Sequence, residues 1–166
     1  QWQLSDAFIE YLTLFAPLHD IGKVAISDSI LHKKGGLSSE EFEVMKRHVT
    51  VGRDMVDQAI QHFALGDMEH SEMLRNIVQY HHEKLNGSGY LGCEDGDVPL
   101  EARIIAVADI LDALLSKRSY KEAWPFDRVI SEMQRMAADN ELDQACVAAV
   151  ISQQALIDDI RRRYPQ

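Results

Sequence analysis

The chain carries almost no strand signal and a recurring helical one, and that contrast limits its fold more than any other feature. Apolar and polar residues rarely alternate over four or more positions, and β-branched clusters are short. Phe8, Tyr11, Leu12, Phe15 and Leu18, in contrast, follow the three-four spacing of one buried helix face. Similar stripes predict helices over 4–14, 38–48, 68–80, 100–116, 126–138 and 142–163. Ser38-Ser39-Glu40-Glu41 supplies an N-cap with acids in the first turn. Lys33-Lys34-Gly35-Gly36 and Trp124-Pro125 are breaks, and residues 86–99 form a long loop holding Gly87, Gly89, Gly92 and Gly96. The expectation is an all-α helical bundle of about six or seven helices with one long Gly-rich loop.

At 166 residues the chain has the size of one ordinary domain. Seventeen basic against 27 acidic residues give a net charge of −10, which argues against a nucleic-acid polymer or an anionic membrane as the main partner. An anionic ligand would need bound metals or a few well-placed Arg and Lys side chains. Cys93 and Cys146 form no CxxC pair, so a disulfide framework or zinc ribbon is not expected, and a reducing, cytoplasmic setting fits. No apolar run approaches the ~20 residues that span a bilayer. The sequence opens with Gln1 inside a helical pattern and reads as a piece of a longer protein, cut upstream.

Of the seven histidines, three sit in telling company. His19-Asp20 ends an apolar helical run, and His81-His82-Glu83 closes another helix. Asp109 is embedded in an apolar helix with Asp112 one turn later, and a carboxylate on an apolar face must be paired or metal-bound. Arg103 or Arg118 could pair with these acids instead. His48, after Lys46-Arg47, reads equally well as a ligand or an ordinary side chain. His32, His62 and His70 lie in polar stretches with no acidic or histidine partner in register and read as ordinary residues. Adjacent ligands on a helix diverge by about 100°, so a His-Asp or His-His pair suits the two sides of a metal cluster. A carboxylate such as Asp20 can bridge two ions, and two ions about 3.5–4 Å apart form the usual clamp for phosphoryl chemistry. Imidazole and carboxylate donors without thiolate suit Fe or Mn rather than structural zinc.

Gly87-Ser88-Gly89-Tyr90-Leu91-Gly92 fits G-x-G-x-x-G, but it follows a helix and precedes an acidic loop, so dinucleotide binding is a poor reading. The glycines instead allow tight turns and close backbone approach beside the His pair.

Together these residues resemble the HD-GYP family, a branch of the HD-domain metal-dependent phosphohydrolases. The resemblance rests on Leu18-His19-Asp20-Ile21-Gly22-Lys23, on Met45-Lys46-Arg47-His48 with Gly52, and on the run from His81-His82-Glu83 to Gly89-Tyr90. It continues from Pro99-Leu100-Glu101-Ala102-Arg103 to Asp109, and through Asp112 to Lys121. It covers about residues 7–150 and implies a di- or trinuclear centre of divalent metal ions, commonly iron or manganese. It also implies hydrolysis of cyclic di-GMP to linear pGpG or GMP by a metal-activated hydroxide. His19, Asp20, His48, His81, His82 and Asp109 are implied metal ligands, with Asp20 bridging. By the same resemblance Lys23 holds a scissile-phosphate oxygen, Gly89 and Tyr90 approach a guanine, and Arg118 and Lys121 contact guanine or phosphate. A GGDEF-type partner protein and a homodimer formed through an upstream regulatory module are further implications.

The sequence also departs from the family pattern. Gly89-Tyr90-Leu91 stands where the family has Gly-Tyr-Pro, which frees φ, returns a backbone donor and implies a more mobile loop. No residue here matches the Glu and His ligands that the family draws from an upstream helix, and Glu10 is too close to His19 to serve. Asp139-Asn140-Glu141-Leu142-Asp143 replaces a Gly/His-Phe-Asp-Pro-like segment, with little expected consequence for chemistry. The alternative function is a degenerate module that senses cyclic di-GMP or a protein partner without cleaving it.

Overall fold

The computed structural model describes residues 3–63, 70–116 and 123–163. The described residues are helical, with no strand beyond one isolated antiparallel bridge between Asn86 and Glu94. Helix α1 (Asp6–Phe15) is capped by Ser5, whose Oγ accepts from the Phe8 N–H at 3.1 Å. Pro17 lies in the 3-10 turn Ala16–Leu18 that follows, and a second 3-10 helix spans Ile21–Ala25. His19 and Asp20 sit between these turns, off any α-helix.

Helix α2 is a single turn (Asp28–Leu31). The expected helix over 38–48 is instead two elements, α3 (Ser39–Lys46) and α4 (His48–His62), which meet at Arg47. The predicted N-cap is present as a full capping box: Ser38 Oγ accepts from the Glu41 N–H at 3.2 Å, and Glu41 Oε2 accepts from the Ser38 N–H at 2.7 Å. Helix α5 (Ser71–Tyr80) ends at the His pair, and α6 (Leu100–Leu115) carries Asp109. Helix α7 (Phe126–Ala138) follows Pro125. The single helix expected over 142–163 is broken at Gln153 into α8 (Gln144–Ser152) and α9 (Gln154–Arg163). Asp143 starts α8 by accepting from the N–H groups of Ala145 and Cys146 at 2.8 and 3.0 Å.

Two large apolar cores share α6, and a smaller one of Leu85, Val98 and Ala102 lies at its start. Val129, Met133 and Ala137 of α7 pack with Cys146 and Val147 of α8 against Ala106, Val107 and Leu115. On the other side Phe15, Val56, Ile60, Met73, Leu74, Ile77 and Val78 pack around Ile105. The second core holds α1, α4 and α5 together, so the ends of α4 and α5 and the turns after α1 are fixed by apolar burial. Among the described residues no helix is long and apolar enough to cross a membrane.

Candidate metal centre

Asp20, His48, His81 and His82 come together although as many as 62 positions separate them in sequence, and each offers a donor atom within 4.8 Å of the others. This close approach requires glycine. A Cβ on Gly22 would lie 1.9 Å from the His48 carbonyl oxygen and 2.6 Å from the Gly52 nitrogen. Only a hydrogen at this position lets the 3-10 helix after Asp20 lie backbone to backbone on the first turns of α4. Gly52 in turn admits α5, since its Cβ would meet Val78 Cγ1 at 2.7 Å.

The imidazoles are oriented by their own backbone. Nδ1 of His48 lies 2.8 Å from the Met45 carbonyl, and Nδ1 of His19 lies 2.7 Å from that of Ala16. Nδ1 of His81 is shared between the carbonyls of Ile77 and Val78 at 3.0 and 3.1 Å. A carbonyl oxygen only accepts, so each Nδ1 carries a proton, and in the neutral rings each Nε2 presents a lone pair. For His48 and His81 those lone pairs converge on a third acceptor. Asp20 Oδ1 lies 3.4 Å from His48 Nε2 and 3.5 Å from His81 Nε2. It is buried and has no hydrogen-bond partner of good geometry. Three acceptors facing one another around a buried point fit a cation, which would satisfy all of them.

The other carboxylate oxygen faces a second group. Asp20 Oδ2 lies 3.3 Å from His19 Nε2 and 2.5 Å from Lys23 Nζ. Asp109 approaches from α6, with Oδ1 4.0 Å from His19 Nε2. The structure therefore brings His19 and Asp109 to the Oδ2 side, next to the four-donor group but not within it. Asp112 is exposed and accepts from Ser116 Oγ at 3.3 Å. Arg103 binds the Val98 carbonyl and Asp143, so it is not the partner of Asp109. Arg118 and Lys121 lie outside the described residues. His70 stacks on Tyr11, with ring centroids 4.3 Å apart, and His62 lies edge-on to Phe63.

The electrostatics follow the geometry. Burial pushes the Asp20 carboxyl up, but the His19 imidazole and the Lys23 ammonium at its Oδ2 outweigh it and hold the group far below the usual carboxylate range. His19 is raised above 6.5, chiefly by its hydrogen bond to Asp20. Burial lowers His81, and burial reinforced by the neighbouring imidazoles lowers His82 to about 2. His81 and His82 are therefore held neutral, the form that binds a metal.

Beside the cluster, Tyr90 stacks on His82 with centroids 4.5 Å apart and lies edge-on to Phe42 with centroids 5.6 Å apart. Sequence reasoning assigned no role to Phe42 or Glu83. The position of Glu83, immediately after the His pair and before a Gly-rich loop, was the available signal. Within the segment Asp139–Asp143, Asp139 and Glu141 support the chain that follows the His pair. Glu141 pairs with Lys84 and accepts from the Leu85 N–H, and the Asp139 carbonyl accepts from Asn86 Nδ2.

The all-helical bundle brings the buried Oδ1 of Asp20 among imidazoles in an arrangement that could hold a metal ion. Residues 2–146 match the HD domain, and the chain belongs to that family, in the HD-GYP branch whose ordered motifs it carries. It is 39% identical over 161 residues to the cyclic di-GMP phosphodiesterase response regulator RpfG of Xanthomonas campestris pv. campestris, an alignment covering 96% of this chain and 40% of that protein. A cyclic di-GMP phosphodiesterase of Vibrio cholerae is 44% identical over 126 residues, covering 75% of this chain and 25% of the relative. The 3'3'-cGAMP-specific phosphodiesterase 2 of the same organism is 38% identical over 131 residues, covering 78% and 24%. The chain thus spans less than half the length of these relatives.

Proposed function

We propose that this domain is a metal-dependent phosphodiesterase that hydrolyses cyclic di-GMP to linear pGpG or GMP. The observation that carries the reading is Asp20, whose two oxygens face separate donor groups: His48 and His81 on one side, His19 and Lys23 on the other. In this reading Asp20, His48, His81 and His82 hold one divalent cation, and Asp20 with His19 and Asp109 holds a second. Iron or manganese suits this thiolate-free set. When bound, such ions offset phosphate charge and acidify water. They also account for how a chain of net charge −10 holds a dianionic ligand.

The remaining roles fall to the chain's own side chains. Lys23 is partly exposed and adjoins the Oδ2 edge of Asp20, from which its ammonium can reach a phosphate oxygen. Tyr90 presents a flat face beside the cluster for a guanine, and Gly89 lets the backbone come close. Arg118 and Lys121 are assigned to guanine or phosphate from the sequence alone. Pairing with a GGDEF-type protein and dimerisation through an upstream module belong to the same reading.

The test is turnover of cyclic di-GMP by protein purified anaerobically and loaded with Fe or Mn, with 3'3'-cGAMP as competitor. Hydrolysis of cyclic di-GMP with weaker use of 3'3'-cGAMP supports the proposal, and preference for 3'3'-cGAMP reassigns the substrate. A folded, metal-loaded protein that cleaves neither nucleotide would rule out the enzyme.

A further inference from the structure

The Gly-rich loop that carries Tyr90 has no regular secondary structure across residues 86–93, yet side chains hold it from within: Asn86 Oδ1 accepts from the Ser88 N–H at 3.1 Å, and Glu83 holds the part after Tyr90. Glu83 is only 3% exposed. Its Oε1 accepts from the Leu91 N–H at 2.7 Å and its Oε2 from the Cys93 N–H at 2.8 Å. The loop closes tightly over this carboxylate, and a Cβ on Gly89 would lie 2.6 Å from Glu83 Cα and 2.7 Å from the Lys84 nitrogen. Both are backbone atoms, so the approach tolerates only glycine.

Tyr90 sits between these two anchors, with Gly89 pressed on the backbone of residues 83–84 before it and Leu91 bound to the Glu83 carboxylate after it. Glu83 directly follows His82, on whose ring Tyr90 stacks. One short stretch of chain therefore sets both the imidazole and the aromatic ring facing it. The Leu91 N–H completes the arrangement, and a proline at this position could not supply it. Leu91, which frees φ there, also returns the donor that Glu83 Oε1 binds.

We propose that Glu83 is a positioning residue. By gripping the N–H groups of Leu91 and Cys93, it fixes Tyr90 against His82, and in this chain the Leu91–Glu83 hydrogen bond supplies the rigidity that a proline would otherwise give. The structural part of the proposal stands alone. Its effect on substrate rests on the phosphodiesterase reading, through the nucleobase-facing role given to Tyr90.

The experiment compares wild type, Glu83→Gln, Glu83→Ala and Leu91→Pro in the metal-loaded chain. It reads amide exchange over residues 86–94, metal content, far-ultraviolet circular dichroism, and kcat and KM for cyclic di-GMP. Glu83→Ala should speed exchange at Leu91 and Cys93 by about tenfold or more, since each bond is made to a buried carboxylate. Helicity and metal content should stay at wild-type levels, KM should rise several-fold, and kcat should change less. Glu83→Gln, which keeps one acceptor, should restore part of the protection. Leu91→Pro should speed exchange at Cys93, because Glu83 loses one of its two anchors. Unchanged exchange in Glu83→Ala overturns the proposal, as does loss of helicity in both Glu83 variants, because a positioning role leaves the bundle intact. If wild type cleaves no cyclic dinucleotide, that result falls on the phosphodiesterase reading, and the exchange rates alone decide the role of Glu83.

Discussion

The Nε2 atoms of His48 and His81 stand 3.4 Å apart at the floor of the site, on rings that are 0% and 1% exposed. Each ring's Nδ1 is tied to a carbonyl of its own chain segment, so two lone pairs face each other beside the buried Oδ1 of Asp20. Without a cation this contact is unfavourable, and α4 and α5 hold it in place through apolar packing elsewhere.

Asp20→Ala should therefore abolish metal loading and leave helicity close to wild type, because the core around Ile77 and Val78 does not involve Asp20. In the parent protein, saturating metal should raise the thermal midpoint, and chelator should lower it again, since an ion bound only by the folded state stabilises by mass action. Metal analysis with a thermal melt measures both effects. Global unfolding of Asp20→Ala would assign the residue a structural role instead.

Gly22→Ala tests how the His-Asp turn is docked on α4. The added Cβ meets backbone atoms of His48 and Gly52, which no rotamer change can relieve. The turn must move off α4, taking Asp20 away from His48. The expected cost is about 2–3 kcal/mol in urea unfolding, together with a fall in metal content. Gly36→Ala, with nothing within 4 Å of its Cβ, is the control and should change neither.

The cap of α8 should separate stability from chemistry. Asp143 is 8% exposed, caps α8 through two N–H groups, and receives Arg103 at 3.4 Å. Asp143→Ala should lower stability by roughly 1–2 kcal/mol and leave metal content unchanged, because its contacts lie on the α6–α8 side of the molecule. A loss of metal in the folded variant would mean that the two cores are coupled through α6.

Most of the helical bundle could be read in the sequence because amphipathic spacing is a local property. The stripe Phe8–Phe15, the stripe Met73–Val78 and the Ser38–Glu41 capping box correspond to observed elements, whereas Leu18, expected on the same buried face as Phe15, is exposed in the 3-10 turn beyond α1. The breaks at Arg47 and Gln153 were not legible, since neither residue is Gly or Pro. At the site, His-Asp and His-His doublets on apolar flanks marked the donors, but their distances depend on packing between remote segments. Asp109 shows this limit: its burial pattern flagged it, yet it reaches the cluster only across His19, at 4.0 Å. The roles of Gly22 and Glu83 were equally hidden, because the atoms they meet are backbone atoms whose proximity no side-chain pattern encodes.

The opposed shifts of the histidines give metal retention a pH dependence in two stages. A ligating imidazole must be neutral. His19 is raised above 6.5, so its Nε2 takes up a proton first as pH falls, and donors on the Oδ2 side of Asp20 should release metal first. His81 and His82 are lowered, His82 to about 2, and keep their lone pairs well below pH 6.5, so metal on the Oδ1 side should persist further into acid. Without metal the same shifts act on folding. The unfolded chain binds protons near pH 6.5 that folded His81 and His82 refuse, so their contribution to stability falls as pH drops below that value. The proton favoured on folded His19 works in the opposite direction, and its contribution is lost as pH rises through its elevated pKa. With two groups against one, the metal-free protein should lose stability between pH 6.5 and 5. Metal analysis after dialysis at stepped pH, paired with urea midpoints of the chelator-treated protein, measures both effects. Release of all metal in one step above pH 7, or a metal-free protein that grows steadily more stable toward pH 5, would contradict this assignment of neutral and protonated rings.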